Sequence, residues 1–147
     1  MSYQGTSRHN TWIFETLSGH SRLVELVGHT VPAPRIVRGV IPDQPKMPSL
    51  YFADVAPQPI TPVTNYLIRT KVQFSVLMPH ASHYLLDEAQ RILRDAFNPE
   101  DHPSMQLGGL LRILYVNLSG EGGALYEDTA RRCIRLDHRI DIGYLEI

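Results

Sequence analysis

The sequence lacks the features that support disulfide cross-linking or insertion into a membrane. Its one cysteine, Cys133, cannot form an intramolecular disulfide, which fits a reducing compartment. No stretch approaches the roughly 20 apolar residues that would span a bilayer. The polar residues 1–10 also lack the apolar core of a signal peptide. We therefore expect a protein that is made in the cytoplasm, has no membrane partner and begins with a flexible arm over residues 1–10.

An excess of charge of one sign is also missing. The 14 Lys and Arg residues are balanced by 15 Asp and Glu residues, and the net charge is −1. Such a chain has no bulk electrostatic attraction to nucleic acid or to an anionic membrane, although local patches are not excluded. At 147 residues we predict one domain over residues 1–147, because a chain of this size buries roughly 68–70% of its unfolded surface.

The most informative pattern is the alternation from Arg131 to Ile147. A period of two places successive side chains on opposite faces of a strand. The face predicted to contact a helix layer carries Ile134, Leu136, His138, Ile140, Ile142 and Tyr144. The other face carries Arg135, Asp137, Arg139 and Asp141. A row of alternating charges suits a solvated sheet face, the lumen of a ring or a lateral contact with another subunit.

Helical spacing appears in two segments, an early pair of helices and one later helix. The early pair covers Thr11 to Leu17, with Asn10 or Thr11 as its N-cap, and Ser21 to Gly28, with Ser21 as N-cap and Gly28 as a left-handed stop. The later helix runs from Ala81 to Phe97, where an apolar stripe faces a charged one.

Four further segments are predicted to be extended. Eight of the 11 prolines fall between residues 32 and 62, which favours an extended edge with short strands at Arg35 to Val40 and Ser49 to Val55. Tyr66 to Met78 alternates like a strand of an antiparallel sheet with one solvated side. Leu110 to Leu118 is apolar on both faces, as expected of a central or partner-covered strand.

The order of these elements predicts an α+β fold. We expect a mainly antiparallel sheet, two helical segments packed on one face and a proline-rich edge. Two stretches are less defined by their residues. Ala124 to Arg132 is ambiguous between a loop and a helical turn, and Gly120 to Gly123 is predicted to be a flexible connection, with a role the sequence leaves open.

The sequence gives no positive support for an enzyme, a metal site or a cofactor. Cys133 and His138 are five positions apart on one predicted strand, so they should point to opposite faces. His80 and His83 have a spacing found in metal sites, but no further His or Cys cluster completes a ligand set. We therefore predict no catalytic, cofactor-binding or metal-binding residues.

As a whole the chain resembles the tail terminator, or tail completion, proteins of long-tailed bacteriophages and gene transfer particles. The resemblance covers residues 10 to 147 and rests on element order and on these segments: Leu26-Val-Gly28, Pro48-Ser-Leu-Tyr-Phe-Ala53, the strand Tyr66 to Met78, the helix with Ala89 and Leu93, and the strands after Ala124-Leu-Tyr-Glu-Asp128. Related folds occur in tail tube and head-closure proteins. The other alternative is a cytoplasmic α+β enzyme or ligand-binding domain with no visible site.

The resemblance implies a structural virion protein without cofactors. It would form a homo-hexameric ring at the head-proximal end of the tail, assembled in the host cytoplasm. Its partners would be the tail tube protein, whose polymerisation the ring ends, and the head-tail connector protein. DNA would pass through the ring without sequence readout.

Two groups of residues are candidates for contacts between subunits. One is the charged row of Arg135, Asp137, Arg139 and Asp141, for which a solvated sheet face is the alternative. The other is Leu50, Tyr51 and Phe52 in the proline-rich edge, for which burial in the subunit's own core is the alternative.

Overall fold

A computed structural model describes residues 8–55, 67–97, 105–106, 111–118 and 124–146. Of the predicted flexible arm over residues 1–10, residues 1–7 lie outside the described residues, as does the Gly120 to Gly123 connection, whereas residues 8–10 belong to the first helix. The helices are α1 (Arg8–Ser18), α2 (Ser21–Val27) and α3 (Leu85–Ala96). The strands are β1 (Ile36–Arg38), β2 (Ser49–Asp54), β3 (Leu67–Met78), β4 (Met105–Gln106), β5 (Leu111–Leu118), β6 (Ala124–Asp128) and β7 (Cys133–Glu146).

The described strands form a single sheet in the order β1-β2-β3-β7-β5-β4, with β6 paired to β7 beside β5. The pairing of β1 with β2 is parallel, and every other described pairing is antiparallel. β3 pairs with β7 from Leu67↔Leu145 to Met78↔Ile134. On its other edge β7 pairs with β6 through its first half and with β5 through its second half. The predicted α+β fold with a mainly antiparallel sheet is confirmed.

The helices cover one face of this sheet, because the alternation in β3 and β7 makes that face apolar. Paired core residues such as Val76↔Leu136 and Val72↔Ile140 point to the helix side. α1 contributes Trp12, Ile13 and Leu17 to the same core, and α3 contributes Leu86, Ala89, Ile92 and Leu93. The burial of Leu136, Ile140 and Ile142 against the helices is therefore as predicted for the closing strand.

The helix boundaries correct several predicted caps. Asn10 and Thr11 lie inside α1 and so are not its N-cap, because described helical structure already begins at Arg8. Ser21 is the first residue of α2, and the cap is His20, whose Nδ1 accepts from Leu23 N at 3.3 Å. Gly28 ends α2 at a φ of 70°, the left-handed stop that was expected. α2 is then tied to α3 by a bidentate pair between Arg22 and Glu88.

Three other segments differ from the prediction. Residues 80–82 form a 3₁₀ turn, so the α3 helix starts at Leu85 instead of Ala81. The stretch from Ala124 to Arg132, ambiguous from its sequence, contains strand β6. Residues 124–128 pair in regular antiparallel register with residues 133–137 of β7. β5 is buried on one face only, through Leu111, Ile113 and Val116, whereas Arg112, Leu114 and Asn117 are exposed.

The proline-rich region gives one edge strand and one interior strand. β2 lies between β1 and β3, and its Leu50 and Phe52 enter the main core. Tyr51 points to the other face, where it packs with Leu77 and Cys133 beneath Ile41 and Met47. The loop after β1 therefore folds back over part of the sheet face that the helices leave uncovered.

One close approach on that face depends on a glycine. Gly143 of β7 lies opposite Tyr115 of β5, and an added Cβ would come within 2.1 Å of the Tyr115 ring. The ring therefore lies directly against the Gly143 backbone, where only a glycine leaves it room.

Gly143→Ala should lower the free energy of unfolding by about 1–3 kcal/mol, the usual cost of overpacking. Tyr115→Ala in the same chain should recover part of that loss, because it removes the clashing ring. Urea unfolding of the two single variants and the double variant measures the coupling. Strictly additive losses would contradict the packing described above.

Candidate functional site

The uncovered sheet face carries a network of charged side chains centred on Asp128 and Arg135. Asp128 is the last residue of β6, and its side chain is 8% exposed. Its Oδ2 accepts from Arg131 Nη1 at 3.1 Å and from Arg135 Nη1 at 3.0 Å, while Oδ1 accepts from the Arg131 backbone N–H at 3.2 Å. This carboxylate is therefore fixed by two guanidinium groups and a turn of the backbone.

Arg135 also binds the next carboxylate of its own strand. Its Nε and Nη2 donate to the two oxygens of Asp137 at 3.0 and 3.1 Å, in the bidentate geometry that guanidinium groups favour. Asp137 accepts further bonds from Tyr126 Oη and Ser75 Oγ, each at 2.8 Å. Arg135 also lies over the Tyr126 ring at 5.1 Å from its centroid.

The far end of the network anchors the loop that follows β1. Arg131 donates through Nε to the Pro42 carbonyl at 2.9 Å and through Nη2 to the Ile41 carbonyl at 3.2 Å. A cleft of about 320 Å³ remains between this loop and the sheet. Arg131 and Arg135 line the cleft, but both are already paired with Asp128, so the network chiefly holds the loop on the sheet.

The pKa values of the network follow from burial and from these pairs. Burial raises the pKa of Asp128, but the hydrogen bonds from Arg135 and Arg131 outweigh it and the net pKa is lowered. Burial and the bond to Asp137 raise the pKa of Tyr126 to about 12. Neither group is suited to proton transfer near neutral pH.

The predicted charged row lies on the uncovered face, but its four members differ in their contacts. Arg135 and Asp137, with side chains 14% and 18% exposed, are engaged inside the subunit. Arg139 is exposed and donates to Gln73 Oε1 at 2.9 Å. Asp141 is half-buried, and its Oδ1 has no hydrogen-bond partner in the described part of the chain. A role of the row in subunit contacts stays a prediction.

A second polar cluster joins α1 to two strands on the helix side. Tyr144 Oη lies 2.7 Å from His9 Nδ1, and His9 Nε2 lies 2.9 Å from Asp54 Oδ1. Asn10 Nδ2 adds a bond of 3.4 Å to Asp54 Oδ2. Burial raises the pKa of Asp54, but the His9 hydrogen bond and charge together with Asn10 lower it overall.

This cluster has the residue types of a catalytic relay, and its His9 and Tyr144 are both buried in the described part of the chain. Its hydrogen bonds join α1 to β2 and β7. The cluster therefore fixes the start of α1 against β2 and β7. Sequence reasoning missed it, because His9, Asp54 and Tyr144 are far apart in the chain and belong to three different elements.

The other sequence candidates for chemistry are separated in the fold. Cys133 lies in the small cluster on the uncovered face, whereas His138 is buried opposite Phe74 on the helix side. They therefore lie on opposite faces, as the odd spacing predicts. His80 Nε2 contacts Glu127 Oε1 at 2.9 Å. No group of three or more potential metal ligands occurs among the described residues, and no described helix has the length and apolarity of a transmembrane segment.

The structure places Leu50, Tyr51 and Phe52, the other predicted interface candidates, in the interior of the subunit. Leu50 and Phe52 are buried in the main core and Tyr51 in the small cluster. β2 has β1 along one edge and β3 along the other, so neither edge is free to pair with a partner strand at these residues. The alternative, burial in the subunit's own core, is what the structure contains.

Exposed apolar surface occurs instead at the β1 end of the sheet. A groove of about 380 Å³ lies between α1 and β1, lined by Asn10, Thr11, Phe14, Pro34, Ile36, Val37, Arg38 and Phe52. Phe14 is 38% exposed at its rim. Beside the groove, His29 Nδ1 accepts hydrogen bonds from the backbone N–H groups of Arg35 and Ile36, which holds this part of the chain in place.

A different apolar surface lies across the sheet on β6. Leu125 is 53% exposed, next to the half-covered ring of Tyr126. β6 has β7 as its only strand partner among the described residues. The two ends of the sheet therefore present unlike surfaces, a groove beside β1 and a projecting leucine on β6.

Comparison with known proteins adds no assignment. No family model matches the chain, and no curated protein matches it. One solved structure, whose designation carries no functional description, aligns over 97% of both chains with 18% identity and a TM-score of 0.45. A similarity at that level carries no argument about function.

The Asp128 cluster makes a specific prediction about pH. An aspartate with a lowered pKa stabilises the fold above its ordinary value of 3.8, and that contribution disappears as the pH falls through the folded-state pKa. Asp128→Asn should lower the free energy of unfolding by about 1–3 kcal/mol at neutral pH. The variant should also lose less stability than the natural chain as the pH falls. Urea unfolding at neutral and acidic pH measures both effects. Asp43→Asn, in an exposed loop, is the control and should change neither.

Proposed function

We propose that this chain is a ring-forming structural protein of a phage tail, of the tail terminator class. Six copies would close into a ring on the finished tail tube, end its polymerisation and offer a surface to the head-tail connector. The virion tail would be its site of action, after assembly in the host cytoplasm. The sequence resemblance suggests this role, and the surfaces at the two ends of the sheet support it.

The observation that carries the proposal is that these two ends are different. A ring with one subunit type needs heterologous contacts, in which one surface of each copy meets a different surface of the next. The groove beside Phe14 is concave and almost entirely apolar, and Leu125 projects from the opposite side of the sheet. When an apolar side chain enters such a groove, apolar surface of both partners is removed from water, which favours association.

The arrangement also supports a non-catalytic role. The polar clusters of the subunit are used to hold elements together: the Asp128 cluster secures the loop after β1, and the His9 cluster secures α1.

Charge substitutions at either end should block assembly without unfolding the subunit. Phe14→Asp and Leu125→Asp each place a carboxylate in an apolar contact, which is costly without a partner. Light scattering after size-exclusion chromatography should give rings for the natural chain and monomers for each variant. Tyr84→Asp, a comparable change at a residue 65% exposed in front of α3, is the matched control and should still form rings.

Mixing the two defective variants tests whether the contact is heterologous. A Phe14→Asp subunit keeps an intact β6 surface, and a Leu125→Asp subunit keeps an intact groove. The mixture should therefore form dimers through one good interface, while each variant alone stays monomeric. If only one of the two substitutions affects assembly, or if the mixture gives no dimers, the proposed contact is wrong.

The role at the tube end needs a separate experiment. Adding the protein to polymerising tail tubes should stop their growth, and electron microscopy should show rings at one end of each tube. A chain that forms long tubes by itself would favour the tail tube alternative. A chain that stays monomeric with tubes present would exclude the terminator role.

A further inference from the structure

The uncovered sheet face divides into two halves with different charge. In one half, Arg131 and Arg135 are paired with Asp128 and Asp137, so the charges cancel. The other half carries Arg69, Lys71, Arg112 and Arg139, which we call the basic half. All four side chains are exposed. The balanced charge of the whole chain therefore conceals a local excess.

The cations of the basic half are not neutralised within the described subunit. None of the four forms an ion pair with a described carboxylate, and the hydrogen bond of Arg139 goes to the neutral Gln73. One carboxylate, Asp141, lies among them opposite Lys71. Four positive charges against one negative charge make a surface that attracts anions.

The register shows that these cations are spread out instead of converging on one point. Arg69 lies opposite Gly143, Lys71 opposite Asp141 and Arg139 opposite Gln73, on two neighbouring strands. Arg112 lies across from Leu145 on a third strand. Neighbouring strands are about 5 Å apart, and alternate residues of a strand are about 7 Å apart. Such an array suits a polymer with repeated negative charges better than a single phosphate ion.

Two neutral side chains complete the surface in a way that suits nucleic acid. The Tyr115 ring packs against Gly143, the residue that pairs with Arg69 on the other side of β7. Asn117 lies opposite Asp141 and is exposed. A shallow depression of about 420 Å³ is lined by Arg69, Thr70, Lys71, Tyr115, Asn117 and Asp141. Tyr and Asn side chains, like Arg and Lys, are common donors to the phosphate oxygens of nucleic acid.

We propose that the basic half binds the phosphate backbone of nucleic acid without reading its sequence. The inference concerns the surface of a single subunit and does not rest on the proposed ring. The contacts that would form the ring, Phe14 and Leu125, lie at the ends of the sheet, and the basic half lies on its face. The two proposals can therefore fail independently.

The test measures binding to a fluorescent duplex DNA by anisotropy over a range of salt concentrations. Each phosphate contact adds about 0.9 to the slope of log affinity against log salt. Four contacts should lower the affinity about 100-fold between roughly 50 and 200 mM salt. Two duplexes of unrelated sequence should bind equally, because phosphates carry no sequence information.

Substitutions that remove positive charges show which part of the surface contacts the DNA. Lys71→Ala combined with Arg139→Ala should reduce the salt slope by about 1.8, the value for two lost phosphate contacts. The control combines Lys46→Ala with Arg91→Ala, which removes the same charge from exposed sites on a loop and on α3. It should leave the slope unchanged. Circular dichroism establishes that both variants are folded.

Three outcomes would overturn the proposal. The first is no binding of the natural chain even at low salt. The second is an equal reduction of binding in the control, which would make it a bulk charge effect. The third is a strong difference in affinity between the two duplexes, which would require base contacts that this surface does not explain.

Discussion

Pairing between β3 and β7 determines the position of every other element. The ladder runs without a break from Leu67↔Leu145 to Met78↔Ile134, and a slip of one residue would exchange the two faces of each strand. The apolar side chains would then point away from the helices, and the charged side chains would lose their hydrogen-bond partners. Both the core and the charged network therefore depend on this one register, which the alternation along β7 specifies.

Sequence reasoning identified the elements whose pattern is local. The alternation of β3 and β7, the stop at Gly28 and the apolar stripe with Ala89 and Leu93 are all visible within a short window of residues. The sequence also predicted which side of β7 carries Arg135 and Asp137. The hydrophobic period and the capping residues are sufficient to predict such features, because these features depend on neighbours in the chain.

The features that were missed depend on contacts between distant segments. His9, Asp54 and Tyr144 meet only when α1, β2 and β7 are assembled. Leu50 and Phe52 looked like an exposed edge because prolines surround them, but β1 adds a parallel strand outside β2 and encloses them. β6 was ambiguous because its pairing with β7, and not its own composition, makes it a strand.

The order of the strands along the chain has a consequence for synthesis. The strand with the most pairing, β7, is later in the sequence than β3, β5 and β6, all of which bond to it. While the ribosome is still making the earlier part, β3 has no partner on the edge that β7 will occupy, and its apolar side chains stay exposed. The core closes only when β7 emerges, so folding is largely a step that follows translation of this strand. Chaperone contact during synthesis would protect the apolar face of β3 in that interval.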